Sequence, residues 1–223
     1  SNGMVLHLKP TDFTADEVRL AADSKGGNGL IDDEQYVPAA TAVALARASG
    51  LGPFNATELG QYMAGHRASV SPYIGTFHEG FSGSFAPKDA ELALELIHAW
   101  FTAPRFDADA FARDTENRRL ALENRTNNPS AQFGDLYNEA MWKNHLRRRS
   151  WTVDDLEKMD LDASKQFFAD RFADPGSFTF TFVGNLSLDS FRPLVERYLA
   201  SLPGSERQET WRDPAIPRAQ GVI

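Results

Sequence analysis

The chain predicts an α+β fold: a mixed, mainly antiparallel sheet with helices packed on one face. Short segments with alternating apolar residues occur at both ends and in the middle. Capped segments of helical period separate them, and no steady strand–helix–strand alternation runs along the chain, as a wholly parallel sheet would need. At 223 residues, 42% hydrophobic and 24% charged, the chain is large enough for one substantial core.

Residues 4–9 alternate in character and residues 17–22 are rich in Val and Leu, so both read as strands, with Pro10-Thr11-Asp12 as the turn between them. Gly26-Gly27-Asn28-Gly29 follows the second strand with residues that tolerate positive φ. The alanine-rich run over residues 36–49 predicts a helix that is apolar nearly all round and therefore buried, stopped by Gly50, Gly52 and Pro53. Asn55 with Glu58 has capping-box spacing for a second helix running to Gly65.

Residues 68–74 and 77–85 read as a hairpin whose Phe77, Glu79, Phe81, Gly83 and Phe85 share one face. Pro87 opens a helix carrying a broad apolar stripe, Leu92, Leu96 and Ala99 beside Ala93, Ile97 and Trp100. Longer helices are expected over residues 107–124 and 130–145. Thr152-Val153-Asp154-Asp155 forms a capping box, and Asp162 is expected to cap a helix bearing Phe167, Phe168 and Phe172. In residues 178–185, FTFTFVGN, phenylalanines alternate with threonines as in a strand with one buried face, and a helix over residues 189–201 follows. Residues 1–204 are expected to form a single domain, and the polar, proline-bearing residues 205–223 a linker toward a following domain.

Charge and composition remove several function classes. A formal net charge of −8 repels phosphate backbones and anionic lipid, so neither nucleic acid nor a membrane surface is an expected partner. The one basic cluster, Arg147-Arg148-Arg149 with Lys143 nearby, reads as a solvated helix end or a local salt-bridge partner. No run approaches the roughly 18 apolar residues that span a bilayer. With no cysteine, there are no disulfides, thiolate metal sites or cysteine nucleophiles.

Local motifs for chemistry are missing. His7, His66, His78, His98 and His145 occur singly, without the spacing that puts two imidazoles on one helical or strand face. His78 and Glu79 are neighbours on a strand, so their side chains point to opposite faces and cannot share a proton transfer. No nucleophile elbow, phosphate-binding loop or dinucleotide fingerprint is present. Glu116 and Glu123 lie seven residues apart, two helical turns, which places both carboxylates on one helix face. An exposed acidic face accounts for that spacing without any function.

The order of features resembles a domain of the pitrilysin/insulinase family of zinc metallopeptidases. The residues that carry the resemblance are Trp151 to Leu156, Phe167-Phe168, Arg171-Phe172 and FTFTFVGNLSLDSFRPLVERYLASLP at the C-terminal end. At the N-terminal end they are NGMVLHLKPTDF, Gly26-Gly27, Phe81-Ser82-Gly83-Ser84 and Ala103-Pro104-Arg105-Phe106. The match runs from residue 2 to about residue 204 and is nearest to the third of four domains in bacterial PqqL-like members. It implies the LuxS/mitochondrial-processing-peptidase-like metallohydrolase fold.

Active domains of that family carry H-x-x-E-H on the helix after the Gly-Gly turn: two histidines bind zinc and the glutamate activates the bound water. By this resemblance the corresponding positions here hold Ala39, Ala42 and Val43 or, one residue on, Ala40, Val43 and Ala44, none able to bind metal. Glu123 falls at the place of the family's third ligand, with Glu116 seven residues before it, and is left as a relic. The resemblance therefore implies a non-catalytic domain with no cofactor of its own and no catalytic or metal residues. It would help a parent zinc peptidase enclose peptide substrate between two halves of a clamshell, with other domains of the same chain as partners. It also implies a Gram-negative periplasm, while composition leaves the cytoplasm open. The alternative is a stand-alone scaffold or assembly protein of the same fold without peptidase activity, and a minor third reading is an enzyme with a site around His66, His78 and Glu79.

Overall fold

The computed structural model describes residues 2–125, 127–205 and 207–220. Five strands, β1 (Val5–Pro10), β2 (Val18–Lys25), β3 (Ala68–Ile74), β4 (His78–Phe85) and β5 (Thr179–Gly184), form one sheet in the order β1-β5-β2-β4-β3. β1 runs parallel to β5, and every other neighbouring pair is antiparallel. The chain thus has the expected α+β class and mainly antiparallel sheet.

The sheet has one covered and one open face, as alternation in the strands requires. In β2, Val18, Leu20, Ala22 and Ser24 are buried while Arg19, Ala21, Asp23 and Lys25 are exposed. In β5, Phe180 and Phe182 point inward, continuing from Phe178, and the threonines lie on the other side. Four helices lie over the covered face: α1 (Tyr36–Ser49), α3 (Ala90–Thr102), α7 (Leu161–Arg171) and α8 (Leu188–Tyr198).

The layers meet through aromatic rings. Phe81 of β4 packs 5.1 Å, centroid to centroid, from both Phe101 and Phe172, and Phe168 and Phe172 stack at 4.5 Å along α7. Phe182 meets Phe191 of α8 at 5.0 Å. Trp100 is buried, and its indole N–H donates to Val70 O (3.2 Å), so its one polar atom is satisfied.

α1 is buried as its alanine content predicts: Ala42, Leu45 and Ala46 are fully inaccessible. Small residues bring α1 and α7 close enough for a polar contact inside the core, where Thr41 Oγ1 lies 3.2 Å from Ser164 Oγ and Ser164 Oγ donates to Pro38 O. Beyond this layer lie α2 (Ala56–Tyr62), α4 (Ala108–Arg125), α5 (Pro129–Trp142) and the single turn α6 (Val153–Leu156). A smaller apolar cluster of Val37, Leu156 and Met159, with Phe111 and Leu122 of α4 against it, ties α4 and α6 to the start of α1.

The Asn55–Glu58 and Thr152–Asp155 capping boxes both form. Several sequence-based boundaries are corrected: α2 stops at Tyr62 rather than Gly65 and α8 at Tyr198 rather than residue 201, and three more have a clear physical reason. β2 extends to Lys25, because Asp23, Ser24 and Lys25 still pair with Gly80, Glu79 and His78 of β4. α5 stops at Trp142 rather than near residue 145, because Lys143 and Asn144 adopt positive φ (51° and 56°) and end the helical path. The cap of α7 is Asp160, whose carboxylate accepts the Ala163 N–H at 2.7 Å; Asp162 lies inside the first turn.

If the phenylalanine array holds the layers together, Phe180→Ala lowers unfolding free energy in urea by about 3–5 kcal/mol. Ala21→Ser, on the open face of β2, changes it by no more than about 0.5 kcal/mol. A loss below about 1 kcal/mol for Phe180→Ala contradicts the assignment.

Candidate functional site

Three places have the residues from which a site would be built: the first turns of α1, the cleft beside Glu123, and the buried end of the β2/β4 ladder. On α1, Ala39 and Ala42 are buried, Ala40 is exposed, and Val43 and Ala44 are partly exposed. Positions 40, 43 and 44 are i, i+3 and i+4 on one helix, so their side chains share a face, and it is the more open of the two alternatives. Zinc takes nitrogen, sulfur or oxygen donors. Methyl and isopropyl groups supply none, so this face does not fit the ion, and no chemical step on this chain is derived through it. Among the described residues no three His, Asp or Glu side chains gather to hold a metal.

Glu116 and Glu123 are both exposed on α4. Glu116 lies 3.8 Å from Arg119 in a surface ion pair. Glu123 borders an open cleft of about 560 Å³, walled by Leu122, Asp135, Arg149 and Trp151 among others. Arg149 and Thr152 of its wall are held from behind by Asp155, which is almost fully buried. Burial alone would raise its pKa, but hydrogen bonds from Arg149, the Thr152 N–H and Lys158 outweigh it and hold the carboxyl well below the usual range.

Two members of the basic cluster form local salt bridges, Arg147 with Asp33 and Arg149 with Asp155. Arg147 is not solvated: its side chain is 3% exposed, pairs with Asp33 at 2.6 Å, donates to Asn28 O and Ile31 O, and stacks 4.7 Å over Tyr36. The histidines have structural partners or face solvent. His66 Nδ1 meets Asp89 at 2.8 Å, His145 Nε2 meets Asp33 at 3.2 Å, His98 lies edge-on to Tyr198, and His7 and His78 are exposed.

The third place was legible only in part. Glu79 falls on the inward face of β4, as alternation with Phe81 requires, and is fully buried, while His78 faces solvent; the two cannot act together. Glu79 Oε2 accepts the Gly27 N–H, and Arg171 Nη1 lies 3.6 Å from Oε1, for which no hydrogen-bond donor exists among the described residues. Burial raises the carboxyl above its ordinary value, against the Gly27 hydrogen bond and the Arg171 charge, to about 7. The carboxylate explains the Gly-Gly turn: Gly26 (φ +151°) sits directly on the Glu79 and Arg171 heads, where a Cβ would collide with them.

The cluster extends into the C-terminal segment. Arg171 also pairs with Asp170 and with Glu209 (3.4 Å), Glu209 pairs with Arg207 (2.6 Å), and Arg207 returns to Asp170 (3.0 Å). Trp211 packs edge-on to Phe77, and Arg212 donates to Gly29 O. A carboxylate raised to about 7 often marks a proton-transfer site. Here it is sealed from solvent, so no reacting atom can reach it, and the shift is a consequence of packing. Nothing in the sequence singled out Arg171 and Glu209 as its partners, which lie 92 and 130 positions further along the chain.

Comparison with known proteins finds the same fold in zinc proteases and in an inactive peptidase domain. No family model matches the chain. The chain is 26% identical over 206 residues to a zinc protease PQQL-like protein of Arabidopsis thaliana, covering 91% of this chain and 19% of that protein. Its fold superposes on the periplasmic protease PqqL of Escherichia coli with a TM-score of 0.75 at 20% identity, covering 95% of this chain and 23% of that one. It also superposes on a peptidase M16 inactive domain from Pseudomonas fluorescens with a TM-score of 0.70 at 16% identity, covering 95% of this chain and 52% of that one. The resemblance to PqqL-like zinc proteases therefore extends over nine-tenths of this chain, which spans only about a fifth of the length of these two proteases.

Glu79 gives this region a pH dependence. Its carboxyl is raised in the folded state, so between pH about 4.5 and 7 the native chain holds more protons than the unfolded one, and stability falls as pH rises. The expected loss across that window is about 3 kcal/mol, with no further change from this group above it. Glu79→Gln removes that slope from urea unfolding curves recorded at pH 4.5, 5.5, 6.5 and 7.5; an unchanged slope in the variant contradicts the assignment.

Proposed function

We propose that this chain is a non-catalytic domain of a larger zinc metallopeptidase, the third of four, which helps to enclose and bind peptide substrate in a clamshell chamber. The catalytic zinc belongs to another domain of the parent chain. Residues 1–204 form the domain, and residues 205–223 lead toward the next one.

The observation that carries this reading is the face of α1. Its position after the Gly26-Gly27 turn is the one that bears the zinc-binding helix in active domains, and it holds Ala40, Val43 and Ala44 where two imidazoles and a carboxylate are needed. The register with Ala39, Ala42 and Val43 points two of its three positions into the core, where no substrate could reach. Glu123 is a relic: one carboxylate at the edge of an open cleft cannot hold zinc. What remains for such a domain is shape, a wall and a size limit for the chamber.

The relatives support this over a stand-alone scaffold, because they are proteases four to five times longer than this chain. A periplasmic parent is proposed from PqqL of Escherichia coli, which is described as periplasmic. The partners are the other domains of the parent and the peptide held between them.

The chain purified alone is expected to contain far less than one zinc per molecule and to leave unfolded peptides uncut. Metal analysis giving about one zinc per chain, or peptide hydrolysis that survives removal of contaminating protease, overturns the proposal.

A further inference from the structure

α5 exposes an apolar stripe. Four of its apolar residues, Phe133, Leu136, Tyr137 and Ala140, stand at i, i+3, i+4 and i+7, so they form one stripe, and that stripe faces solvent. Phe133 is 71% exposed, Leu136 65% and Tyr137 52%. The side turned toward the rest of the domain carries Gly134, Asp135 and Asn138 together with Ala131, Met141 and Trp142, and Asp135 is held there by Arg125 and Ser150. Its mixed inner side holds the helix in place partly through ion pairs and hydrogen bonds, and the large apolar residues of the outer stripe are left to bind something else.

The course of the C-terminal segment indicates what that is. After crossing the Glu79–Arg171 cluster, the chain reaches the end of α5, where Ala219 N–H donates to Met141 O at 2.8 Å and Arg218 lies 5.5 Å over Trp142. Met141 is eight residues from Phe133, about 12 Å along the helix. Polypeptide continuing past this point would emerge beside the stripe, and the relatives are proteases four to five times longer.

We infer that the Phe133–Leu136–Tyr137 stripe of α5 is the docking face for the domain that follows this one in the parent chain, which receives it in an apolar groove. The inference rests on the proposed placement of this chain within a longer peptidase. An aromatic and aliphatic stripe of this kind, continued by Ala140, has the composition of a permanent interface.

The test is hydrogen exchange of α5 in the 223-residue chain and in the full reading frame that contains it. In the full-length protein the amides of residues 131–141 are expected to exchange at least about tenfold more slowly, and Phe133→Asp with Leu136→Asp there restores the faster rate. Equal rates in the two wild-type proteins overturn the inference, and this comparison needs no variant to fold. Light scattering at tens of micromolar is expected to find the 223-residue chain monomeric; a dimer dispersed by the double variant assigns the stripe to a second copy and overturns it. Protection that appears only when unfolded peptide is added assigns it to substrate, with the same consequence. Zinc content of the full-length protein is read separately: protected α5 without zinc contradicts the function proposed above and leaves the interface standing, and zinc with unprotected α5 does the reverse.

Discussion

Phe178, Phe180 and Phe182 enter and run along β5 at alternate positions, so all three rings leave the strand on the same side. That constraint fixes which face of the sheet is covered, and the helices are arranged around it: Phe172 at the end of α7, Phe191 of α8 and Phe101 of α3 all meet this array or its partner Phe81, and Phe168 stacks on Phe172. Large rings fill the space near the sheet, and small side chains fill it further out, where α1 and α7 approach closely across Thr41 and Ser164. The alanines of α1 serve that approach on one side and leave an inert surface on the other.

A second constraint lies at the end of the β2/β4 ladder, where the inward alternation of β4 places a carboxylate in the core. Glu79 is tolerated there because Gly27 donates a hydrogen bond, Arg171 lies alongside, and Gly26 lacks the Cβ that would displace both groups. The cost of burying this charge appears as its raised pKa rather than as reactivity. The same arginine reaches Glu209, so the cluster also fastens the C-terminal segment across the domain before it reaches α5.

The strands, the helices and both capping boxes were legible in the sequence because each is set by local periodicity or by residues three apart. The phenylalanines and threonines of β5 announce a half-buried strand, and the alanines of α1 a buried helix. Boundaries were less legible: the end of α5 depends on Lys143 and Asn144 taking left-handed backbone, which their side chains permit but do not demand. The Glu79 cluster depends on contacts between residues 79, 171 and 209, and no local pattern records such distances. Of the two environments expected for Arg147, the local salt bridge to Asp33 is the one that forms, and its burial, which no local pattern records, is created by Tyr36 and the carbonyls of residues 28 and 31.

Architecture and missing chemistry belong together in this domain. Its fold is shared with PqqL-like zinc proteases and the open face of α1 carries aliphatic groups, so under the function proposed above what it offers a substrate is surface and volume. The most direct test is thermal unfolding of the chain with zinc and with EDTA, because an ion that binds only the folded state raises its stability, by about 2.7 kcal/mol at one hundred times the dissociation constant. The account predicts the same midpoint in both solutions. A midpoint that rises with micromolar zinc and returns on adding EDTA contradicts it.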